Sequence, residues 1–143
     1  MKSVAEILRS KSSAHVYFVS PDDSVLDAVK LMAEKGIGAL VVLSNGRLAG
    51  IVSERDYARK VALLERSAFA AKVSEIMTAD VITVGPRDTT SHCMQLMTDR
   101  HLRHLPVLAE GELIGLLSIG DLVKQTIADQ ASLIEQLEQY IRG

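Results

Sequence analysis

The amino-acid sequence contains an internal repeat, and this repeat limits the possible fold more than any local motif does. Residues 19–60 align with residues 84–125 at an offset of 65 without a gap, and 13 of the 42 aligned positions are identical. The chain of 143 residues is therefore two copies of one unit, followed by a tail. A unit of about 60 residues is marginally stable alone, so we expect the two copies to share one hydrophobic core.

Each copy is predicted to fold in the order strand, helix, strand, strand, helix. A short β-forming run, residues 17–19 in the first copy and 81–84 in the second, precedes the first helix. Ser24 and Thr89 stand where a helix N-cap is expected. Gly36 supplies a stop signal at the end of the first helix.

Two further runs in the first copy, residues 39–43 and 48–52, are rich in β-forming residues. Asn45 and Gly46 join them, and this pair favours a two-residue hairpin turn. Because the runs are nearly continuous in apolar residues, we expect helices of the same unit, or the other copy, to cover each sheet. The sequence therefore predicts a mixed α/β fold for each copy.

Residues 126–143 are predicted to form an amphipathic helix that continues or follows the last helix of the second copy. Apolar residues recur along it at spacings of three and four, and the stripe is Ile127, Ala131, Ile134, Leu137 and Ile141. Two readings of this stripe remain open. The helix packs on its own module, or it forms the contact between two chains of a homodimer.

The composition argues against several classes of protein. A net charge of -2 and a pI near 6.1 argue against nucleic acid as a partner, because phosphate binding usually needs a basic surplus. The longest apolar stretch, residues 37–43, is too short to span a bilayer, so we expect a soluble cytoplasmic protein with no membrane partner. The single cysteine, Cys93, takes an inward-facing helix position and is predicted to be a core thiol.

One seven-residue pattern occurs in both copies: a glycine, two hydrophobic residues, a serine, two variable residues and an aspartate. Its serine and aspartate are Ser53 and Asp56 in the first copy, and Ser118 and Asp121 in the second. In one reading the pair caps the helix that follows the strand. In the other, the carboxylate accepts hydrogen bonds from the two hydroxyls of a ribose, the serine binds the same ligand, and the glycine lets the backbone approach it.

This pattern, the repeat, the order of elements and residues 103–107 (Arg-His-Leu-Pro-Val) together resemble a tandem pair of cystathionine-β-synthase (CBS) domains, over about residues 1–127. The resemblance implies an α/β (α+β) fold of two β-α-β-β-α repeats related by pseudo-two-fold symmetry. The expected division is residues 1–68 for the first repeat with an N-terminal helix, 73–127 for the second repeat, and 128–143 for a C-terminal amphipathic helix.

The resemblance also implies a function. CBS domain pairs commonly bind adenosine-containing ligands such as AMP, ADP, ATP, NAD or S-adenosylmethionine in two clefts between the repeats. We therefore expect a non-enzymatic regulatory module without a catalytic cofactor or metal ion, a homodimer that signals to a separate effector protein. The alternative is a dimeric scaffold with no physiological ligand, in which Ser53 and Ser118 act only as helix caps. An enzyme acting on the nucleotide is the least favoured reading, because no nucleophile stands beside a general base.

The same resemblance assigns candidate ligand-binding residues to each cleft. Those of the first cleft are Ser53, Arg55, Asp56, Ile82, Arg103 and His104. Those of the second cleft are Ser118, Asp121, residues 14–17 with Tyr17, Gly38 and Ala39. Arg103 and His104 match the family's phosphate-binding pair, and His104 makes binding sensitive to pH near neutrality. The first cleft is predicted to be the tighter mononucleotide site, because the second lacks matching bases.

Overall fold

The computed structural model describes residues 2–11 and 15–142, and their helices and strands follow the predicted order except at the first strand of the second copy. The α-helices of the described part are α1 Val4–Ser10, α2 Val25–Lys35, α3 Glu54–Tyr57, α4 Val73–Ile76, α5 Thr90–Arg100 and α6 Ile119–Arg142. A π-helical turn, Ala58–Ala62, continues α3. The strands are β1 Phe18–Val19, β2 Ala39–Ser44, β3 Arg47–Ser53, β4 His104–Ala109 and β5 Glu112–Ser118. The mixed α/β fold class predicted from the sequence is confirmed.

The two sheets differ at one strand. In the first copy β1 pairs in parallel with β2, which pairs antiparallel with β3. In the second copy β4 and β5 form the antiparallel pair. The prediction of a strand at residues 81–84 is wrong, because this segment forms only one bridge, between Val84 and Val107. Pro106 stands where β2 has Val41, and it lacks the backbone N–H that would extend the parallel pairing.

The two hairpins have the same turn geometry. In the first, Asn45 and Gly46 have φ values of 52° and 78°, as a two-residue turn of type I′ requires. In the second, Glu110 and Gly111 have φ values of 52° and 81°. The predicted turn is confirmed, and the second copy adopts it even with a glutamate at the first position.

The predicted N-caps of the first helix of each copy and the predicted end of α2 are also confirmed. The side chains of Ser24 and Thr89 each accept a backbone N–H of the first turn, at 3.0 and 3.1 Å. Gly36 ends α2 in the left-handed region, with a φ of 66°. His101 takes the same left-handed position after α5, with a φ of 55°.

The hydrophobic core is two separate clusters, so the expectation of one shared core is wrong. The first cluster contains Val19, Val25, Ala28, Met32, Leu40, Val42, Val52, Val61, Ala71, Val73 and Ile76. The second contains Val4, Ile7, Val84, Cys93, Met97, Leu105, Val107, Leu117 and Leu122. Each cluster includes residues of the short helix that precedes the other repeat, so the two repeats exchange their leading helices.

Backbone hydrogen bonds hold this exchange in the same way on both sides. The N–H of Val4 donates to the carbonyl of Asp88 at 2.8 Å, and the N–H of Val73 donates to the carbonyl of Asp23 at 2.9 Å. On each side, the N–H of the following residue donates a second backbone hydrogen bond to the other repeat. Helix α1 therefore packs on the second repeat and α4 on the first, which makes the repeats interdependent in folding. The division of the chain into domains at residues 1–68, 73–127 and 128–143 stays a prediction.

Helix α6 runs without interruption through the segment that was expected to be a tail. Its apolar stripe is open in this chain: Ile127, Leu137 and Ile141 are 60%, 52% and 81% exposed. The reading in which the stripe packs on its own module is therefore wrong. Neither α6 nor any other helix among the described residues is long and apolar enough to cross a membrane.

Candidate ligand-binding clefts

Two clefts open between the repeats. The first cleft has a volume of about 340 Å³, and its polar lining includes Ser53, Arg55, Asp56, Arg59, Arg103 and His104. The second cleft has a volume of about 590 Å³, and its polar lining includes Lys11, Tyr17, Lys35, Ser118, Asp121 and Lys124. Both volumes lie in the range of small-molecule sites. Each cleft joins a serine and an aspartate of one repeat to side chains of the other.

The serine and aspartate of each cleft form a reciprocal helix cap. The N–H of Ser53 donates to Oδ2 of Asp56 at 2.9 Å, and the N–H of Asp56 donates to Oγ of Ser53 at 3.3 Å. The corresponding distances for Ser118 and Asp121 are 2.8 and 3.2 Å. The capping reading is confirmed for both copies. Each carboxylate can still accept further hydrogen bonds, because it has about four acceptor positions.

A lysine of the same helical stretch neutralises Asp56. The Nζ atom of Lys60 lies 3.2 Å from Oδ1 of Asp56, and it also donates to the carbonyl of Ile76 at 2.8 Å. Lys60 lies one turn after Asp56, and it is not among the residues that line the first cleft. The charge of Asp56 is thus balanced from outside the ligand space.

Asp121 receives its cation from the other repeat. The Nζ atom of Lys11 lies 3.0 Å from Oδ2 of Asp121 and 2.9 Å from the carbonyl oxygen of Leu116. Lys11 lines the second cleft, and its side chain is only 26% exposed. Lys11 was not among the residues predicted from the sequence to line this cleft. The available signal was that the segment before the first strand is four residues longer in the first copy than in the second.

The expectation that the second cleft lacks basic residues is wrong. Lys11, Lys35 and Lys124 line it, and Asp121 is the one carboxylate among its lining residues. The first cleft has Arg55, Arg59 and Arg103, together with the two carboxylates Glu54 and Asp56. The second cleft therefore carries the larger excess of positive charge. Charge no longer supports ranking the first cleft as the tighter mononucleotide site.

His104 lies where the two clefts meet and lines both of them. It begins β4, opposite Ser118 across the sheet, and it aligns with Ala39 of the first copy, which also lines both clefts. Burial lowers the pKa of His104 below its usual value, and this effect outweighs the opposing attraction of Asp121. His104 is therefore neutral at pH 7, and it offers a ligand a hydrogen bond rather than a charge.

Most of the remaining candidates line the clefts, and one does not. Gly38 lines both clefts, and Tyr17 lines the second. The rings of Tyr17 and His15 meet edge to face at 4.5 Å between centroids, with Nζ of Lys35 5.2 Å from the tyrosine ring. Ile82 packs against the second hydrophobic cluster and is not among the residues that line the first cleft, so its role in ligand binding stays a prediction. Residue 14 lies outside the described residues.

The glycines of the two seven-residue patterns serve the chain itself. A Cβ atom on Gly50 would lie 2.7 Å from the carbonyl oxygen of Thr78. On Gly115 it would lie 2.7 Å from a methyl carbon of Leu8. Both neighbours belong to the segments that the repeats exchange. These glycines therefore allow the exchanged segments to approach the sheets, and Gly115 also lines the second cleft.

The described residues offer neither a metal site nor an activated thiol. Within residues 2–11 and 15–142, no group of three or more His, Cys, Asp and Glu is placed to hold a metal ion. Cys93 is fully buried in the second cluster, and burial raises the pKa of its thiol to about 11. The predicted core thiol is confirmed.

Comparison with known proteins gives matches along nearly the whole chain. Residues 4–63 and 73–127 each match the sequence profile of the CBS domain. The mitochondrial CBS domain-containing protein CBSX3 of Arabidopsis thaliana is 39% identical over 149 residues, which cover 99% of this chain and 72% of that protein. The structure of a candidate signal-transduction protein with CBS domains from Burkholderia ambifaria is 60% identical. It matches with a TM-score of 0.87 and covers 90% of this chain and 96% of that one.

A more distant structure carries bound ligands. The CBS domain pair of protein MJ0100, in complex with 5′-methylthioadenosine and S-adenosyl-L-methionine, matches with a TM-score of 0.79 at 22% identity. The match covers 90% of this chain and 98% of that one. At this identity the likeness concerns the fold.

Proposed function

The chain belongs to the CBS domain family, whose domain pairs are regulatory modules, and from that premise we propose that it binds an adenine nucleotide between its repeats without catalysing a reaction. AMP, ADP, ATP and NAD are the candidate ligands. One observation carries the proposal: each cleft places a serine and an aspartate of one repeat opposite basic side chains of the other. A nucleotide presents the matching groups, a ribose diol and a phosphate.

The ribose is assigned to the two aspartates. Oδ1 of Asp121 has no hydrogen bond among those of the described residues, and Oδ1 of Asp56 faces Lys60 at 3.2 Å. Because an ionised carboxylate only accepts hydrogen bonds, it suits a pair of vicinal hydroxyls that donate. The cap bonds meanwhile hold each carboxylate in place, so the ribose site is formed before the ligand arrives.

The phosphate is assigned to basic side chains that line each cleft, one from each repeat. In the first cleft these are Arg55 and Arg103, whose guanidinium groups suit a phosphate geometrically. In the second cleft they are Lys35 and Lys124. Such charge-assisted hydrogen bonds are about twice as strong as neutral ones.

The adenine is assigned to apolar surface beside these groups. The first cleft offers Ile51 and Leu102. The second offers Ile37 and Ile114, together with the ring of Tyr17, which supplies an aromatic face in a chain with only 3% aromatic residues. The complex of MJ0100 with two adenosine compounds supports a ligand of this class for the fold.

Regulation is proposed to follow from the composite nature of the clefts. A ligand that touches both repeats stabilises the relative orientation it prefers, by no more than its difference in affinity for the two orientations. A separate effector protein is then the element that responds. We further propose a homodimer, because the exposed stripe of α6 at Ile127, Ile134 and Leu137 is an apolar face that a two-fold contact would bury.

The second candidate function is a dimeric scaffold without a physiological ligand. The reciprocal caps of Ser53 with Asp56 and of Ser118 with Asp121 favour it, because they explain the repeated motif by helix stability alone. This reading and the leading proposal share the dimer. They differ in whether the clefts bind a nucleotide.

A thermal-shift panel separates the two functions. Protein shown by ultraviolet absorbance to be free of nucleotide is heated with AMP, ADP, ATP, NAD or S-adenosylmethionine. A ligand at about a hundred times its Kd stabilises the fold by roughly 2.7 kcal/mol, which raises the Tm by several degrees. We expect such a rise with at least one nucleotide. No rise with any of the five overturns the proposal and supports the scaffold.

Matched variants then assign the binding to a cleft. Asp56→Asn and Asp121→Asn keep the side-chain volume and remove the charge, and each is expected to reduce the shift that arises in its own cleft. Asp80→Asn is the control, because Asp80 is exposed and lies outside both clefts. A ligand shift that survives both cleft variants together contradicts the proposed ribose site.

A further inference from the structure

The two aspartates of the clefts obtain their counter-charges from different places. Asp56 is paired with Lys60, four residues further along the same helical stretch. The position equivalent to Lys60 in the second copy is Gln125, which is uncharged and donates to Asp129 instead. Asp121 is paired with a residue from the other repeat. The aspartate of the first cleft is therefore paired with a cation close to it in the sequence, and the aspartate of the second cleft with a cation distant in the sequence.

Lys11, which provides the cation for Asp121, also takes the place of a backbone hydrogen-bond donor. In the first copy the carbonyl of Ile51 accepts the backbone N–H of Thr78 at 2.9 Å. In the second copy the equivalent carbonyl, that of Leu116, accepts from Nζ of Lys11 at 2.9 Å. Two bonds therefore hold the Lys11 ammonium against the wall of the second cleft. An ammonium has three N–H donors, so one remains for a ligand.

The charges around Lys11 favour a phosphate as the acceptor of its remaining N–H. Lys11 already compensates Asp121, and Nζ of Lys35 lies 3.8 Å from Oε1 of Glu34, which is not among the lining residues. Lys124 has no ion pair among those of the described residues, so the lining of the cleft keeps a net positive charge. An uncharged adenosine gains nothing from these groups. A ligand that carries a phosphate gains from all three ammonium groups, and most from the one that is fixed in place, because less side-chain entropy is lost on binding.

We propose that Lys11 makes the second cleft selective for adenosine ligands that carry a phosphate over uncharged adenosine, by holding Oδ2 of Asp121 and donating its remaining N–H to the phosphate. The inference rests on the proposed function, because it requires that the second cleft bind an adenosine compound. It adds a specificity-determining residue that lies outside the repeated motif. The ribose then takes Oδ1 of Asp121, which leaves the bond to Lys11 intact.

The test compares AMP with adenosine by titration calorimetry on nucleotide-free protein. The binding event that Asp121→Asn abolishes is assigned to the second cleft. Lys11→Met is expected to weaken AMP binding in that event by about tenfold or more, the value of one charge-assisted hydrogen bond, and to leave adenosine binding unchanged. Lys30→Met removes an exposed lysine outside both clefts and is expected to change neither affinity. Lys11→Gln, which keeps a donor without the charge, serves as a second variant if Lys11→Met does not fold.

Three outcomes overturn the inference, and they are distinguishable. If Lys11→Met strengthens both ligands, Lys11 only occupies the ribose site, and the proposed function stands. If Asp121→Asn abolishes no binding event, nucleotides bind in the first cleft alone, and the proposed function again stands. If neither AMP nor adenosine, nor any other nucleotide of the thermal-shift panel, binds to the wild-type protein, the proposed function fails with the inference.

Discussion

The ammonium of Lys11 lies 3.0 Å from the carboxylate of Asp121, although 110 positions separate the two residues in the chain. The pair connects the segment that follows α1 to the first turn of α6. It also lies in the wall of the larger cleft, where the exchange of leading helices places a residue of one repeat beside the motif of the other. The helix exchange and the candidate binding sites are therefore two aspects of one arrangement.

The exchange predicts that Gly50 tolerates no side chain. A Cβ atom there would lie 2.7 Å from a backbone oxygen of Thr78, so Gly50→Ala forces the exchanged segment away from β3. We expect a loss of about 1–3 kcal/mol in the free energy of unfolding, measured by urea titration. Gly85→Ala is the control, because the nearest atoms to its Cβ lie at 3.8 Å. Equal stability of the two variants would refute the close packing.

The caps predict a stability cost that is independent of any ligand. Ser53→Ala removes the oxygen that accepts the N–H of Asp56, and the free energy of unfolding of nucleotide-free protein is expected to fall by about 1 kcal/mol. Ser132→Ala, at an exposed position within α6, is expected to cost nothing measurable. If Ser53→Ala is as stable as the wild type, the cap does not contribute and the serine is free for ligand binding alone.

The lowered pKa of His104 predicts a dependence of stability on pH. Because the folded state disfavours the charged imidazole, the unfolded state binds more protons below about pH 6.5. His104 therefore reduces stability as the pH falls through this value towards its folded pKa, and has no such effect above it. Urea titrations from neutral to mildly acidic pH are expected to show a shallower loss in His104→Gln. Identical slopes for variant and wild type would contradict the burial effect.

Burial of Cys93 predicts an unreactive thiol. Its pKa of about 11 leaves almost no thiolate at neutral pH, and the side chain is fully buried. A chromogenic disulfide reagent should therefore leave the folded protein unmodified and react promptly once urea has unfolded it. Fast reaction of the folded protein would show that the second hydrophobic cluster opens.

The exposed stripe of α6 predicts that one charge disrupts the homodimer. Leu137→Glu places a carboxylate in the apolar face, and we expect the variant to sediment as a monomer in analytical ultracentrifugation, where the wild type is expected to sediment as the proposed homodimer. Gln136→Glu adds the same charge to the opposite face of the helix and is expected to remain dimeric. A wild-type protein that sediments as a monomer would contradict the dimer itself.

The sequence alone determined the features that depend on neighbouring residues. The repeat, the caps of Ser24 and Thr89, and the Asn45-Gly46 turn were predictable because each involves a few consecutive residues and their backbone. The seven-residue pattern led to the two aspartates of the clefts for the same reason. It left the capping and ribose readings open, because both use the same serine and aspartate.

Only the tertiary structure decided which distant residues meet. The exchange of α1 and α4 involves surfaces that look alike in sequence, since each repeat offers the same apolar face to either helix. Lys11 meets Asp121, and Lys35 lines the same cleft, only because the fold brings their segments together. Local patterns specify helices and turns. The charge of a cleft, in contrast, is the sum of the side-chain charges on segments that come together only when the chain has folded.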